Sequence, residues 1–205
     1  MRRVISEITS QWNVEHLYVG CSGNFTIENI VKGQGFKIHS NDVSLYSAAV
    51  AYYLTGQEYS LEVAMPEFAW LEEYMGNNLD RLATIMLAMD MMDGYGRPEP
   101  YFVRKQRAYI VQWARMHEAT KAKIEKSLSG LKIEDFYLGD VLEFVNAPSD
   151  PSHAGFISFP PTYKGGYEKL YKGLTELFSW DEPEYELFDN NSLKSLEEQT
   201  MTYGE

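Results

Sequence analysis

Short apolar runs closed by glycine or polar clusters alternate along the chain with stretches whose apolar residues recur every three or four positions. This is the pattern of strands interleaved with helices. Residues 14–19 (VEHLYV) predict a first strand, ended by Gly20-Cys21-Ser22-Gly23. Asn24 or Thr26 is placed to cap a helix carrying Ile27, Ile30 and Val31. Residues 36–40 (FKIHS) predict a second strand ending at Asn41-Asp42, and Ser44 opens a helix with Leu45, Ala48, Ala49, Tyr52 and Tyr53 on its apolar side. Strand, helix, strand and helix joined by short turns mark the start of a parallel sheet. Over residues 58–130 the alternation pauses. Pro66 opens one helix, residues 79–92 form another, and residues 102–131 carry Val103, Ile110, Ala114, His117, Ile124, Leu128 and Leu131 at helical steps. Residues 58–130 therefore read as a helical insertion within a single domain spanning 1–205.

Strands resume at residues 133–138 (IEDFYL), followed by Gly139-Asp140, and at residues 155–159 (GFISF). The latter run stops at Pro160-Pro161, because proline has no N–H for a sheet ladder and holds φ near −65°. A flexible lip, Thr162-Tyr163-Lys164-Gly165-Gly166, leads into a helix with Tyr167, Leu170, Tyr171 and Leu174 on one face. Residues 185–188 (YELF) predict one more strand, and Asn190-Asn191-Ser192 caps a last helix.

Composition narrows the class. The chain has 205 residues, 44% of them hydrophobic and 14% aromatic, enough for a packed core. No apolar run is long enough for a membrane span, the N-terminus lacks the apolar core of a signal peptide, and Cys21 is the only cysteine, so the expectation is a cytoplasmic protein without disulfides or a thiolate metal cluster. The net charge of −12 repels phosphate backbones unless basic residues are gathered. Between positions 97 and 132 they are: Arg97, Arg104, Lys105, Arg107, Arg115, Lys121, Lys123, Lys126 and Lys132 stand against Glu99, Glu118 and Glu125.

Four predicted strand ends carry groups suited to a ligand. The turn Gly20-Cys21-Ser22-Gly23 allows close backbone approach at a helix N-terminus but lacks the third glycine of the dinucleotide fingerprint. Asp42, at the second strand end, is placed to accept from ribose hydroxyls. Asp140 offers an acceptor for an adenine amino group, and the Pro-Pro corner closes the set. A nucleoside cofactor held without pyrophosphate fits. In the alternative reading the glycines merely shape a turn and Asp42 caps a helix.

The segments VGCSGNFTIENIV, HSNDVSLYSAAV, FYLGDVLEFV and FISFPPTYKGGYEKLY resemble the ordered motifs of S-adenosylmethionine-dependent DNA amino-methyltransferases. SNDVSLYS and FPPTYKGGYE resemble more narrowly a group of phage and bacterial antirestriction adenine methyltransferases. The resemblance implies an α/β, Rossmann-like doubly wound methyltransferase fold. It implies that Gly20, Cys21, Ser22, Gly23, Asn24 and Phe25 line the methionine end of S-adenosylmethionine, with Asp42 on its ribose and Asp140 on its adenine. It also implies that a base rotated out of DNA enters beside Ser158, Phe159, Pro160, Pro161, Thr162 and Tyr163. The chain departs from the broader pattern in two places: Phe159, which accepts no hydrogen bond, precedes Pro160, and Thr162 rather than an aromatic follows Pro161. DNA recognition falls to the basic 97–132 helix or to a separate recognition region. The function implied is adenine methylation that protects DNA from restriction. Its alternative is a catalytically weak or inactive cofactor-binding relative that engages host defence or restriction proteins.

Overall fold

The computed structural model describes residues 1–160 and 167–203. In chain order the first half carries α1 (Arg2–Thr9), β1 (His16–Gly20), α2 (Thr26–Val31), β2 (Lys37–Asp42), α3 (Leu45–Thr55), β3 (Leu61–Val63), a 3-10 helix (Pro66–Tyr74) and α4 (Asn78–Met92). The second half carries α5 (Pro100–Leu128), β4 (Asp135–Leu138), α6 (Val141–Phe144), a 3-10 turn (Pro151–His153), β5 (Ala154–Ser158), α7 (Tyr167–Leu177), β6 (Phe178–Trp180) and α8 (Asn190–Thr200). They divide into two units: residues 1–55, 130–162 and 182–205, and residues 56–129 and 163–181.

The first unit is built on a four-stranded sheet in the order β4-β2-β1-β5, with every pairing parallel. Side chains alternate across it. One face presents Leu17, Val19, Ile38 and Phe136 to α2 and α3, where Phe25 and Tyr52 lie against Phe136 at 6.3 and 6.1 Å between ring centroids. α3 is buried nearly all round through Ala48, Ala49, Val50 and Ala51, as a helix laid on a sheet with little solvent face must be. The opposite face presents Tyr18, His39, Tyr137 and Phe156, covered by Phe144 of α6 and by Tyr203. Helices thus flank the parallel sheet on both sides, a Rossmann-like α/β arrangement.

Three polar side chains cross this second face at the entry ends of the strands. Asp135 Oδ1 lies 2.9 Å from His39 Nδ1, and His39 Nε2 lies 2.9 Å from His16 Nδ1. With His39 donating from Nδ1, its Nε2 is the acceptor for His16, so β1, β2 and β4 are stitched side to side. The Tyr18 ring stacks on His39 at 4.5 Å.

In the second unit the pairs Asp80–Lys121, Thr84–His117 and Asp93–Lys105 show α4 and α5 running antiparallel. His117 is buried, its Nε2 within 3.2 Å of Thr84 Oγ1 and 3.1 Å of the Asp80 carbonyl. β3 and β6 form a short antiparallel pair. Among the described residues no helix is long and apolar enough to cross a membrane.

The structure departs from the sequence expectation in four places. α1 and the β3–β6 pair are present without having been expected. Residues 185–188 form no strand, because Glu186 N–H bonds to Asp140 Oδ2 and Phe188 packs against Val141, Val145 and Leu196. The buried stripe of α5 is Trp113, His117, Thr120, Ile124 and Leu128, whereas Val103 and Ile110 are 53% and 44% exposed. Traced back from Trp113, the inward face runs through Tyr109, Gln106, Lys105 and Phe102, all partly buried, so Val103 and Ile110 turn outward.

Gly155 on β5 sits under Trp12, where an added Cβ meets the indole at 2.6 Å. Gly155→Ala therefore overpacks this contact and lowers unfolding stability by about 1–3 kcal/mol in urea denaturation. Trp12→Leu in the same background recovers part of the loss.

Candidate functional site

The chain progresses in one direction from β1 to β2 to β4 and then crosses to the far side of β1 as β5. The reversal falls between β1 and β5, and open α/β sheets bind ligands outside the carboxyl ends of the strands at such a point, which makes this end of the sheet the candidate crevice. The turn after β1 and the Ser158-Phe159-Pro160 corner after β5 flank it.

The turn is strained and firmly held. Cys21 and Phe25 have φ of +56° and +57°, the positive-φ non-glycine residues among those described, with Gly23 at +56° between them. Each non-glycine residue in this region costs about 1–3 kcal/mol and persists only where its surroundings enforce it. The enforcement comes from the end of β2. Asp42 Oδ2 accepts from Gly23 N–H at 2.8 Å, and Oδ1 accepts from Val43 and Ser44 N–H at 2.8 and 2.9 Å. The Asn41 carbonyl accepts from Ser22 N–H at 2.8 Å. The Asn41 amide donates to the carbonyls of Tyr137 and Gly139 at 3.0 and 2.7 Å, tying the β4 end to the same knot. Ser47 Oγ donates to the Gly23 carbonyl at 2.8 Å and is followed by Ser44 Oγ, 2.8 Å away.

The expected site residues divide by these contacts. Asp42 and Asp140 lie on adjacent strand ends, and both act on the Cys21 thiol. Both also serve the backbone: Asp140 Oδ1 caps α6 through Leu142 N–H at 2.8 Å. Gly20 is needed for the protein's own packing, since a Cβ there meets Val141 at 2.7 Å and Ser158 Oγ at 3.0 Å. Phe25 points into the core and is fully buried. Asn24 accepts from Thr26 Oγ1 at 2.6 Å and stays at the surface, and α2 has no side-chain cap. Ser158 and Phe159 point to opposite faces: Ser158 Oγ is buried beside Gly20 without a hydrogen bond among the described residues, and Phe159 is 54% exposed. Pro160 follows Phe159 at the corner, and Pro161, Thr162 and Tyr163 lie outside the described residues.

Two features bear on what the crevice accepts. The four strand-end segments, residues 20–31, 38–44, 137–146 and 154–160, contain no Lys or Arg. Burial, reinforced by Asp42 and then Asp140, pushes the Cys21 thiol up to about 12 against the opposing Ser158 hydroxyl, so Cys21 is a neutral thiol in a negative field. Such a field disfavours phosphates and favours a cation. The residues present, with the Ser158 hydroxyl beside the Cys21 thiol, fit a positively charged nucleoside better than a pyrophosphate.

Sequence reasoning missed Glu28, Ser40 and Asn41. Glu28 on α2 is fully buried behind the turn; its Oε1 accepts from Ser40 Oγ at 3.0 Å and its Oε2 has no partner among the described residues. Burial raises its carboxyl to about 7, the Ser22 and Ser40 hydroxyls pulling the other way. The available signal was a polar run, Ser40-Asn41-Asp42, at the end of a strand that should have been apolar.

Residues 1–203 match the model of a family described as Phage DNA Adenine Methylase-like domain 1. No curated protein and no solved structure matches the chain.

Glu28 gives stability a specific pH dependence. Between the ordinary value of 4.5 and about 7, the folded state holds a proton that the unfolded state has released. Stability therefore falls as pH rises through this window, by on the order of 3 kcal/mol in total. Glu28→Gln keeps the acceptor for Ser40 and carries no charge, so denaturant titrations from pH 5 to 8 give a flatter profile, with the variant more stable than the native chain at pH 8.

Proposed function

We propose that this chain, which belongs to the family of phage DNA adenine methylase-like domains, transfers a methyl group from S-adenosylmethionine to the 6-amino group of adenine in DNA. The observation that carries the reading is the crevice between β1 and β5: a strained, carboxylate-held turn on one side, the proline corner on the other, and no basic residue at the strand ends. S-adenosylmethionine, when bound, supplies an electrophilic methyl carbon on a cationic sulfonium. The backbone of Gly20 to Asn24 bounds its methionine end, and Asp42 and Asp140 supply the negative field that favours its charge. In this reading Asp140 Oδ2, which accepts the Glu186 N–H, also accepts from the adenine amino group, and Asp42 holds the ribose end.

The target base enters at the corner. Phe159 presents an exposed ring on which an extruded adenine stacks, and the Pro160 carbonyl accepts from its amino group. The rate comes mainly from holding nucleophile and methyl carbon in line. Methylated adenines then resist cleavage by restriction enzymes that read the unmodified base, which is the protective role.

A second reading draws on one feature of the corner. Ser158 is turned inward, so the side-chain acceptor beside the target amino group is missing where Phe159 stands. A chain that binds the cofactor and uses Phe159 and its acidic surface to engage a restriction or defence protein satisfies that geometry.

Incubating the full chain with tritiated S-adenosylmethionine and unmodified DNA distinguishes the two. Methyl transfer deposits label in 6-methyladenine, and Phe159→Ala lowers kcat/KM for DNA by roughly 5- to 150-fold, the loss of about 1–3 kcal/mol of stacking, with cofactor affinity unchanged. Cofactor binding without label in any DNA overturns the catalytic reading and selects the second.

A further inference from the structure

The cations of α5 fall into two sets. Lys105 bonds to Asp93 at 2.9 Å, Lys121 to Asp80 and Glu118 at 3.0 and 2.9 Å, and Arg97, just before the helix, to Glu99 at 2.9 Å. These neutralise the unit's own carboxylates. Arg104, Arg107, Arg115 and Lys126 make no ion pair among the described residues, and all four are exposed; so is Lys123, which also makes none but stands apart, about 80° around the helix from Arg115. Arg115 donates from one guanidinium nitrogen to Gln112 Oε1 at 2.6 Å.

The second set shares one side of the helix. At 100° per residue, Arg104, Arg115 and Lys126 drift only about 20° at each 11-residue step, and Arg107 lies one turn from Arg104. Their spacing along the axis is about 16 Å, comparable with the separation of the backbones flanking a major groove about 12 Å wide. Between them stand Ala108, Val111, Ala119 and Ala122, short enough to leave the cationic heads proud of the surface, and Val111 is 75% exposed. Of the acids on α5, Glu118 is held by Lys121, which leaves Glu125 beside Lys126. In a chain of net charge −12, an unneutralised basic face of this length is complementary to a polyanion.

We infer that this face of α5 is where the chain grips duplex DNA, through phosphate contacts from Arg104, Arg107, Arg115 and Lys126 that position the duplex without reading its sequence. The inference rests on the proposed DNA substrate and adds the surface that holds it. It assigns no base contact, so affinity from this face is insensitive to sequence and strongly sensitive to salt.

The test is the salt dependence of binding, measured with the full chain and a fluorescent unmodified duplex. Each phosphate contact contributes about −0.9 to the slope of log K against log salt, so the triple variant Arg104→Ala, Arg107→Ala, Arg115→Ala makes the slope less negative by about 2.7 and weakens binding more than tenfold at low salt. A control variant, Arg2→Ala, Arg3→Ala, Lys194→Ala, removes the same charge elsewhere and leaves the slope in place. Equal loss in both variants reduces the effect to net charge and overturns the inference. So does an unchanged slope in the α5 variant, or self-association in sedimentation that Val103→Ser, Ile110→Ser abolishes while DNA binding is absent. Circular dichroism checks that each variant is folded. Methyl transfer with an unaltered slope in the α5 variant removes this surface and leaves the proposed activity. Salt-sensitive binding lost in that variant, with no methyl transfer by the native chain, removes the activity and leaves the surface.

Discussion

The first unit depends on one carboxylate that is nearly out of solvent. Asp42 is 4% exposed and accepts three backbone N–H groups, one from the turn after β1 and two from the entry to α3. A buried carboxylate without such donors would be costly, and with them it becomes a fixed joint. Through that joint the end of β2 dictates the conformation of a turn 19 residues earlier, including the left-handed Cys21 and Phe25. Asn41 performs the same service toward β4. The strand ends are therefore locked to one another by side chains of a single short segment, Asn41-Asp42, with Ser44 and Ser47 behind it.

This arrangement changes how the aspartates act on a ligand. From sequence, Asp42 was either a ribose acceptor or a cap, and the geometry shows it in the backbone role. Asp140 behaves similarly, capping α6 with Oδ1 and meeting Glu186 N–H with Oδ2. Their charge acts at a distance regardless of which hydrogen bonds they make. No Lys or Arg in the strand-end segments offsets it. Glu28 sits behind the same turn as a third carboxyl, raised to about 7 by burial, so near neutral pH it adds only part of a negative charge.

The strands of the parallel sheet were legible because β-branched and aromatic runs ended at glycine, Asn-Asp or Pro-Pro, each with a stereochemical reason to stop there. Their order was not, since pairing of β1 with both β2 and β5 is a long-range choice that local periodicity does not encode. α5 shows the limit of pattern reading on a helix. A stripe through Val103, Ile110 and Ala114 fits the period as well as one through Trp113, and only the partner surface of α4 selects between them. Residues 185–188 had strand composition, yet the Glu186 N–H bonds to the Asp140 side chain and the segment forms no strand. Glu28 and Asn41 were illegible for another reason: a buried polar residue looks like a surface one until its neighbours are known.

The account stands on the claim that the Asp42 joint holds the β1 turn in the shape that receives a cationic nucleoside. Calorimetric titration of S-adenosylmethionine into the native chain and into Asp42→Asn tests it most directly, because the amide keeps the volume and loses the charge and one acceptor. Micromolar binding to the native chain, weakened at least tenfold in a variant whose circular dichroism is unchanged, is the predicted result. Equal affinity in both, or heat from a dinucleotide and none from S-adenosylmethionine, contradicts it.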